Sequence, residues 1–137
     1  MITIEKSNIA DIPKIIKIEE QSFSNPWNKS QFEESFDNFY SAKKDKNIVG
    51  FIGVQLIADE AHILHMAVDP DFRGQGIAKT MMEFALNFSA KKWFLEVRAG
   101  NSAAQRLYES YGFKVISRRR KYYQDNDEDA LIMELMV

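Results

Sequence analysis

The chain changes period at Gly76, and that change limits the folds open to it. Upstream, residues 39–43, 48–58 and 62–68 read as strands, separated by the turn-forming Asp45-Lys46-Asn47 and Asp59-Glu60. Downstream, Ile77, Met81, Phe84 and Phe88 fall on one face of a helix. A strand that passes through a glycine turn into an amphipathic helix calls for a sheet with helices packed on it. The remaining segments fit. Residues 2–5 alternate like a short strand, and Asp11 is expected to cap a helix with Pro13 in its first turn and Ile12, Ile15 and Ile16 inward. That helix is expected to fade by Asn25-Pro26, with a short second helix over residues 30–36. Residues 93–97 form a strand. A helix then begins at Asn101, with Ala104, Leu107, Tyr108 and Tyr111 on its apolar face, and Gly112 closes it as a left-handed cap. Residues 113–117 and 130–136 are the last strands, joined by a polar loop over 124–129. The predicted order is βααβββαβαββ, an α/β fold whose mixed, mostly antiparallel sheet is flanked by helices. At 137 residues it is expected to be one domain, 1–137.

Composition narrows the chemistry. A net charge of -2 gives no global field to draw nucleic acid, and Arg118-Arg119-Arg120-Lys121 is an isolated basic run, so no nucleic-acid partner is expected. The absence of cysteine excludes a disulfide scaffold, a thiol nucleophile and cysteine-bound zinc. No apolar run approaches the roughly 18 residues that span a bilayer, and MITIEKSNIADIPK has no signal-peptide pattern. No membrane partner and a cytoplasmic location are therefore expected. His62 and His65 face opposite sides of their strand. Asp125, Asp127 and Asp129 imitate a calcium loop, but Ala130 stands where glycine is needed, so no metal is expected. Asn28-Lys29-Ser30 is a glycosylation sequon with no secretory route.

Three places carry candidate chemistry. In Arg73-Gly74-Gln75-Gly76-Ile77-Ala78 two glycines sit where a helix begins. Glycines let backbone amides crowd around an anion, and a helix N-terminus carries about half a positive charge. A phosphate cradle and a plain glycine turn both fit this segment. It lacks the Gly-Lys-Ser/Thr of a Walker loop and the Gly-x-Gly-x-x-Gly of a dinucleotide fingerprint. Glu96 stands in an apolar strand, on one face with Phe94 and Arg98, while Trp93, Leu95 and Val97 take the other. Its residue type suits a solvated ion pair with Arg98 or a general base. Peptide α-amines, with pKa near 8, are mostly protonated at neutral pH and need a base before they attack a thioester. Tyr108 suits a core tyrosine or a proton donor to a thiolate, and Asn101 suits a helix cap.

Arg73-x-x-Gly76-x-Ala78, after Ala67-Val68-Asp69-Pro70, resembles the Gcn5-related N-acetyltransferase superfamily, whose pattern is Gln/Arg-x-x-Gly-x-Gly/Ala. Leu95-Glu96-Val97-Arg98, Asn101-Ser102-Ala103-Ala104, Leu107-Tyr108-Glu109 and Gly112-Phe113 look like the second half of that core. Arg118-Arg119, Tyr122-Tyr123, Asp129-Ala130-x-x-Met133 and Asn25-Pro26-Trp27 resemble its ribosomal-protein alanine N-acetyltransferase branch, so the likeness covers nearly the whole chain.

The resemblance implies acetyl-CoA as co-substrate, with its pyrophosphate on Arg73, Gly74, Gln75, Gly76, Ile77 and Ala78. It implies that the backbone of Met66, Ala67 and Val68, together with Asn101, meets the pantetheine arm. Glu96 is implied as general base, and Tyr108 as general acid at the coenzyme's sulfur. Trp27, and Tyr122 and Tyr123 on a loop, are implied to hold the acceptor. That acceptor is expected to be a protein N-terminus, the alanine of small-subunit ribosomal protein eighteen. Glu19 and Glu20 are expected to line the entry beside Trp27 and favour a basic peptide. Two other readings stay open: an acetyltransferase for lysine or a small amine, and a non-catalytic acyl-CoA-binding module. Retention of both Glu96 and Tyr108 speaks against the module.

Overall fold

A computed structural model describes residues 1–23, 26–123 and 126–137. Asn25, Gln124 and Asp125, on which parts of the resemblance, the polar loop and the calcium-loop comparison fell, lie outside the described residues. The elements are β1 (Ile2–Lys6), α1 (Ile12–Ser22), α2 (Lys29–Glu34), β2 (Phe39–Lys44), β3 (Asn47–Ile57), β4 (Glu60–Val68), α3 (Ile77–Ala85), β5 (Lys92–Arg98), α4 (Ser102–Ser110), β6 (Lys114–Tyr123) and β7 (Glu128–Met136). This is the predicted order. The strands form a seven-stranded sheet in the order β1-β2-β3-β4-β5-β7-β6. Only β4 and β5 pair in parallel among the registered pairs, so the sheet is mixed and mostly antiparallel. No helix of the described residues is long and apolar enough to cross a membrane.

The chain gathers into two compact units, residues 1–54 with 65–88, and residues 55–64 with 89–137. In the first, Ile15 and Ile18 of α1, Phe32 of α2, Phe39, Ile48, Phe51 and Ala67 form one buried cluster. The rings of Phe32, Phe39 and Phe51 meet tilted or edge-on, the arrangement aromatic quadrupoles favour. The entry to α1 differs from expectation. Asn8 is the capping side chain: its carbonyl oxygen accepts from Ala10 N–H at 3.0 Å, while Asp11 accepts from Asn8 N–H at 3.0 Å. Asp11 itself makes no side-chain cap at α1. It is buried, and its carboxylate instead takes the Ser41 hydroxyl at 3.1 Å and Lys43 at 3.6 Å. A carboxylate with those partners within reach is drawn inward instead of onto the helix end.

The second unit is built on β5. Its alternation appears as predicted, with Trp93, Leu95 and Val97 buried and Glu96 exposed. β7 pairs with β5 from Lys92↔Met136 to Arg98↔Ala130 and brings Leu131 and Met133 into the buried set. Gly112 takes a φ of +98° after α4, as a left-handed helix stop requires. β6 runs on to Tyr123, so the basic run and both tyrosines belong to a strand, and the expected end of that strand at residue 117 is too early. The reason is its place at the sheet edge. Every residue of β6 except Tyr123 is exposed, so no period-two hydrophobic signal marks the strand.

Candidate active site

In the first unit, β4 delivers the chain into the glycine turn. Asp69, 4% exposed, fixes the exit of that strand: its N–H donates to Val49 O, its carboxylate accepts from Asp71 N–H at 3.0 Å, and Lys14 lies 3.0 Å away. Burial pushes the Asp69 carboxyl up, but the Asp71 N–H and then Lys14 outweigh it and leave the pKa below the usual range. A 3-10 turn over Pro70–Phe72 leads to Arg73, whose guanidinium donates to Val68 O at 3.3 Å and to the Ser22 hydroxyl at 3.1 Å. Gly74 and Gly76 both hold φ of +79°, and Gly76 is the N-cap of α3. A Cβ at either would meet no atom within 4 Å. The turn is therefore open to a ligand, and its conformation, not crowding, calls for glycine. Ile77 is buried and anchors the helix that starts there, while Gln75 and Ala78 are exposed and half-buried. Met66, Ala67 and Val68 lie on β4 beyond the residues registered with β5, which end at Ile63. An open glycine turn at a helix N-terminus beside a guanidinium fits the pyrophosphate of a coenzyme A.

The same unit holds an arrangement that sequence reasoning placed wrongly. Glu19 is fully buried and so cannot line an entry; Glu20, its neighbour, is exposed. Glu19 Oε2 accepts from Trp27 N–H at 2.9 Å and lies 2.6 Å from His65 Nε2. The signal was present: Glu19 follows Ile12 by seven and Ile15 by four positions, which is the inner face of α1.

In the second unit, the Glu96 side chain is 40% exposed and lies 3.7 Å from the Arg119 guanidinium, not in a pair with Arg98. Arg98 instead meets Glu128 at 3.3 Å and lies 3.9 Å over the Tyr123 ring. Glu128 also accepts from Gly100 N–H at 2.6 Å; that bond, ahead of Asn126 and Arg98, holds its carboxyl below the usual range. Gln105 closes the same turn by donating to Arg98 O and Ala99 O. These contacts set the start of α4, where the Asn101 carbonyl oxygen caps Ala104 N–H at 3.1 Å. Tyr108 is the buried residue of α4, packed on Phe113, and burial pushes its phenol up to about 12. Tyr122 lies beside the Arg119 guanidinium, and its ring meets Tyr123 edge-on at 5.2 Å. Burial, then the charge of Glu96, raises the pKa of Tyr123. A cavity of about 350 Å³ is lined by His62, Phe94, Glu96, Arg119 and Ile132 among others. A larger hollow, about 440 Å³, lies among Arg118, Arg120, Lys121 and Asp129 and includes none of the predicted site residues. It is a gap between long exposed side chains on the edge strand, and the cavity at Glu96 is the better candidate for chemistry. The Glu96–Arg119 and Arg98–Glu128 pairs were missed because the partners lie on different strands, and only the register brings them together.

Residues 12–113 match the Acetyltransferase (GNAT) family. The chain belongs to that family. It is 36% identical to the ribosomal protein bS18-alanine N-acetyltransferase of Escherichia coli (strain K12), over 100% of this chain and 99% of that protein. The crystal structure of the Escherichia coli ribosomal-protein-S18-alanine N-acetyltransferase is similar with a TM-score of 0.93 and 33% identity, over 100% of this chain and 94% of that one. A chain of the NatC complex bound to Gag peptide and CoA is similar with a TM-score of 0.84 and 25% identity, over 99% and 98%. This member of the GNAT family is an acetyl-CoA-dependent N-acetyltransferase.

Proposed function

We propose that this chain, acting as one domain over residues 1–137, acetylates the α-amine of a protein N-terminus, that of the N-terminal alanine of ribosomal protein bS18. The observation that carries the reading is Glu96: a half-exposed carboxylate at a cavity, on a strand whose alternate residues are buried. Acetyl-CoA supplies a thioester already activated for attack. The residues of this chain bind, orient and move protons. Gly74 and Gly76 with the start of α3 and Arg73 receive the pyrophosphate, together with Gln75, Ile77 and Ala78. The Arg73 Nε holds Val68 O and its Nη2 holds the Ser22 hydroxyl, and a guanidinium has further N–H donors for an anion. Backbone groups of Met66, Ala67 and Val68 and the side chain of Asn101 orient the pantetheine arm. Glu96 removes a proton from the acceptor ammonium, directly or through a water, so that a neutral amine can attack. Tyr108 keeps its phenolic proton at every working pH and gives it to the departing thiolate. Trp27, Tyr122 and Tyr123 hold the acceptor chain. Ribosomal acceptors place the reaction in the cytoplasm.

The test is transfer of labelled acetyl from acetyl-CoA to peptides that differ only in their first residue. The alanine peptide is expected to be the best acceptor. Glu96→Gln should lower its turnover by roughly 10²–10⁴, the usual contribution of a general base, with acetyl-CoA affinity unchanged. Equal turnover of the two proteins across pH 6–9 would remove Glu96 from the chemistry. A panel on which no N-terminus is acetylated, while lysine or a small amine is, would replace the acceptor class.

A further inference from the structure

At the end of α1 sits a carboxylate that the chemistry above does not use. Glu19 has no exposed surface, and its Oε1 has no hydrogen-bond partner among the described residues. Its contacts fall on the other oxygen: Trp27 N–H at 2.9 Å and His65 Nε2 at 2.6 Å. Burying a carboxylate with one oxygen unsatisfied is costly, and a leucine would fill such a place on the inner face of a helix without that cost. What the carboxylate supplies is position. It ties the backbone of Trp27 to α1 and the imidazole of His65, on β4, to the same atom. The imidazole in turn stacks on the Trp27 indole, 4.9 Å between centroids and 15° from parallel, with Phe23 4.7 Å from its ring. Trp27 is held a third way, against Phe32 at 5.3 Å and Phe39 at 5.9 Å. Its main chain and its ring are thus fixed by one pair, anchored on the buried Glu19.

We propose that Glu19 and His65 are positioning residues for the acceptor: together they hold Trp27 in the place where it meets the incoming peptide. The proposal rests on the reading of Trp27 as part of the acceptor wall. Loss of either partner leaves the indole without its anchor, and the cost falls on peptide binding, not on proton transfer or coenzyme binding.

The experiment combines steady-state kinetics on the alanine peptide with fluorine NMR of the full chain labelled with 5-fluorotryptophan, which reports Trp27 and Trp93 separately, the assignment coming from Trp27→Phe. Glu19→Ala and His65→Ala are expected to raise the peptide KM roughly 10- to 100-fold, the range for losing a hydrogen bond to a charged group. The KM for acetyl-CoA and kcat at saturating peptide should stay within about threefold of the parent. The Trp27 resonance should move while that of Trp93 stays. His65→Gln, whose amide can still donate to Glu19, should recover part of the loss. Trp27→Ala is the control: an unchanged peptide KM there would sink the acceptor reading of Trp27 and this proposal with it. A raised KM in Trp27→Ala but not in His65→Ala would sink the proposal alone. So would a uniform fall in kcat with both KM values altered, which is the mark of a general loss of structure. Should Glu19→Ala fail to fold, the two His65 variants carry the comparison, since that side chain is 20% exposed. The resonance shift reads the anchoring even if the peptide is not the natural acceptor.

Discussion

Glu96 and Tyr108 stand in opposite surroundings. The carboxylate stands half in water beside a guanidinium, while the phenol is packed on Phe113 with 8% of its surface exposed. For Tyr108 this has a measurable consequence outside catalysis. Its pKa is about 12 when folded, against about 10 in an unfolded chain. Below pH 10 both states keep the proton and the stability is complete. Between pH 10 and 12 the unfolded chain releases a proton that the folded chain retains, so the unfolded state is favoured progressively as pH rises. The parent should therefore lose stability, on the order of 2 kcal/mol, across that window relative to Tyr108→Phe. Chemical denaturation of both proteins from pH 9 to 12 checks it; parallel curves would show that the phenol is hydrated in the folded chain. Of the residue-scale reading, the positions of Glu96 and Tyr108 were legible because a strand and a helix each impose one period. The ion pair of Glu96 was not, since Arg119 is nearly two dozen positions away in sequence and meets it only through sheet register.

At the scale of elements, the turn from β4 into α3 is where sequence and conformation agree most closely. Gly76 is the N-cap of α3 in the left-handed region, and nothing packs over it. Gly76→Val should abolish acetyl-CoA binding, because the branched side chain strains that φ and fills the space an anion needs. Calorimetry should show no binding, and the rise in melting temperature that acetyl-CoA gives the parent by mass action should vanish. Retained binding by the valine protein would mean that the pyrophosphate rests elsewhere. The glycines were readable because positive φ is written in the residue type itself. The capping at Asn8, and that at Asn28, were not read. Asn28 caps α2 in a reciprocal pair with Gln31, so the sequon position serves the helix start. β6 was cut short for a different reason. Period-two patterning marks burial of one face, and an edge strand made of Lys114, Arg118, Arg119, Arg120 and Lys121 buries neither. Its pairing comes from β7, with Asp129 accepting from Lys121 N–H at 2.9 Å and pairing with Arg118.

At the scale of the whole molecule the open quantity is the acceptor, and amine chemistry discriminates between the candidates without a co-crystal. The full-length likeness to a bS18-alanine N-acetyltransferase favours an N-terminus. An α-amine with pKa near 8 is about one-quarter to two-fifths neutral at pH 7.5, whereas a lysine with pKa near 10.4 is about 0.1% neutral. A half-exposed carboxylate such as Glu96 therefore has far less to do for a chain end than for a lysine. On the alanine peptide, kcat/KM should rise with pH only until about 8, where the acceptor amine is largely neutral, and then level off. A lysine acceptor would keep gaining about tenfold per pH unit through pH 9, since its amine is still protonated there. The measurement uses a peptide with alanine first, basic residues after it and an internal lysine. Blocking its α-amine should stop incorporation of label while the lysine remains free. A plateau near pH 8 together with loss of activity on blocking assigns the α-amine. A rate that climbs through pH 9 and survives blocking would assign the side-chain amine and make the chain a lysine acetyltransferase.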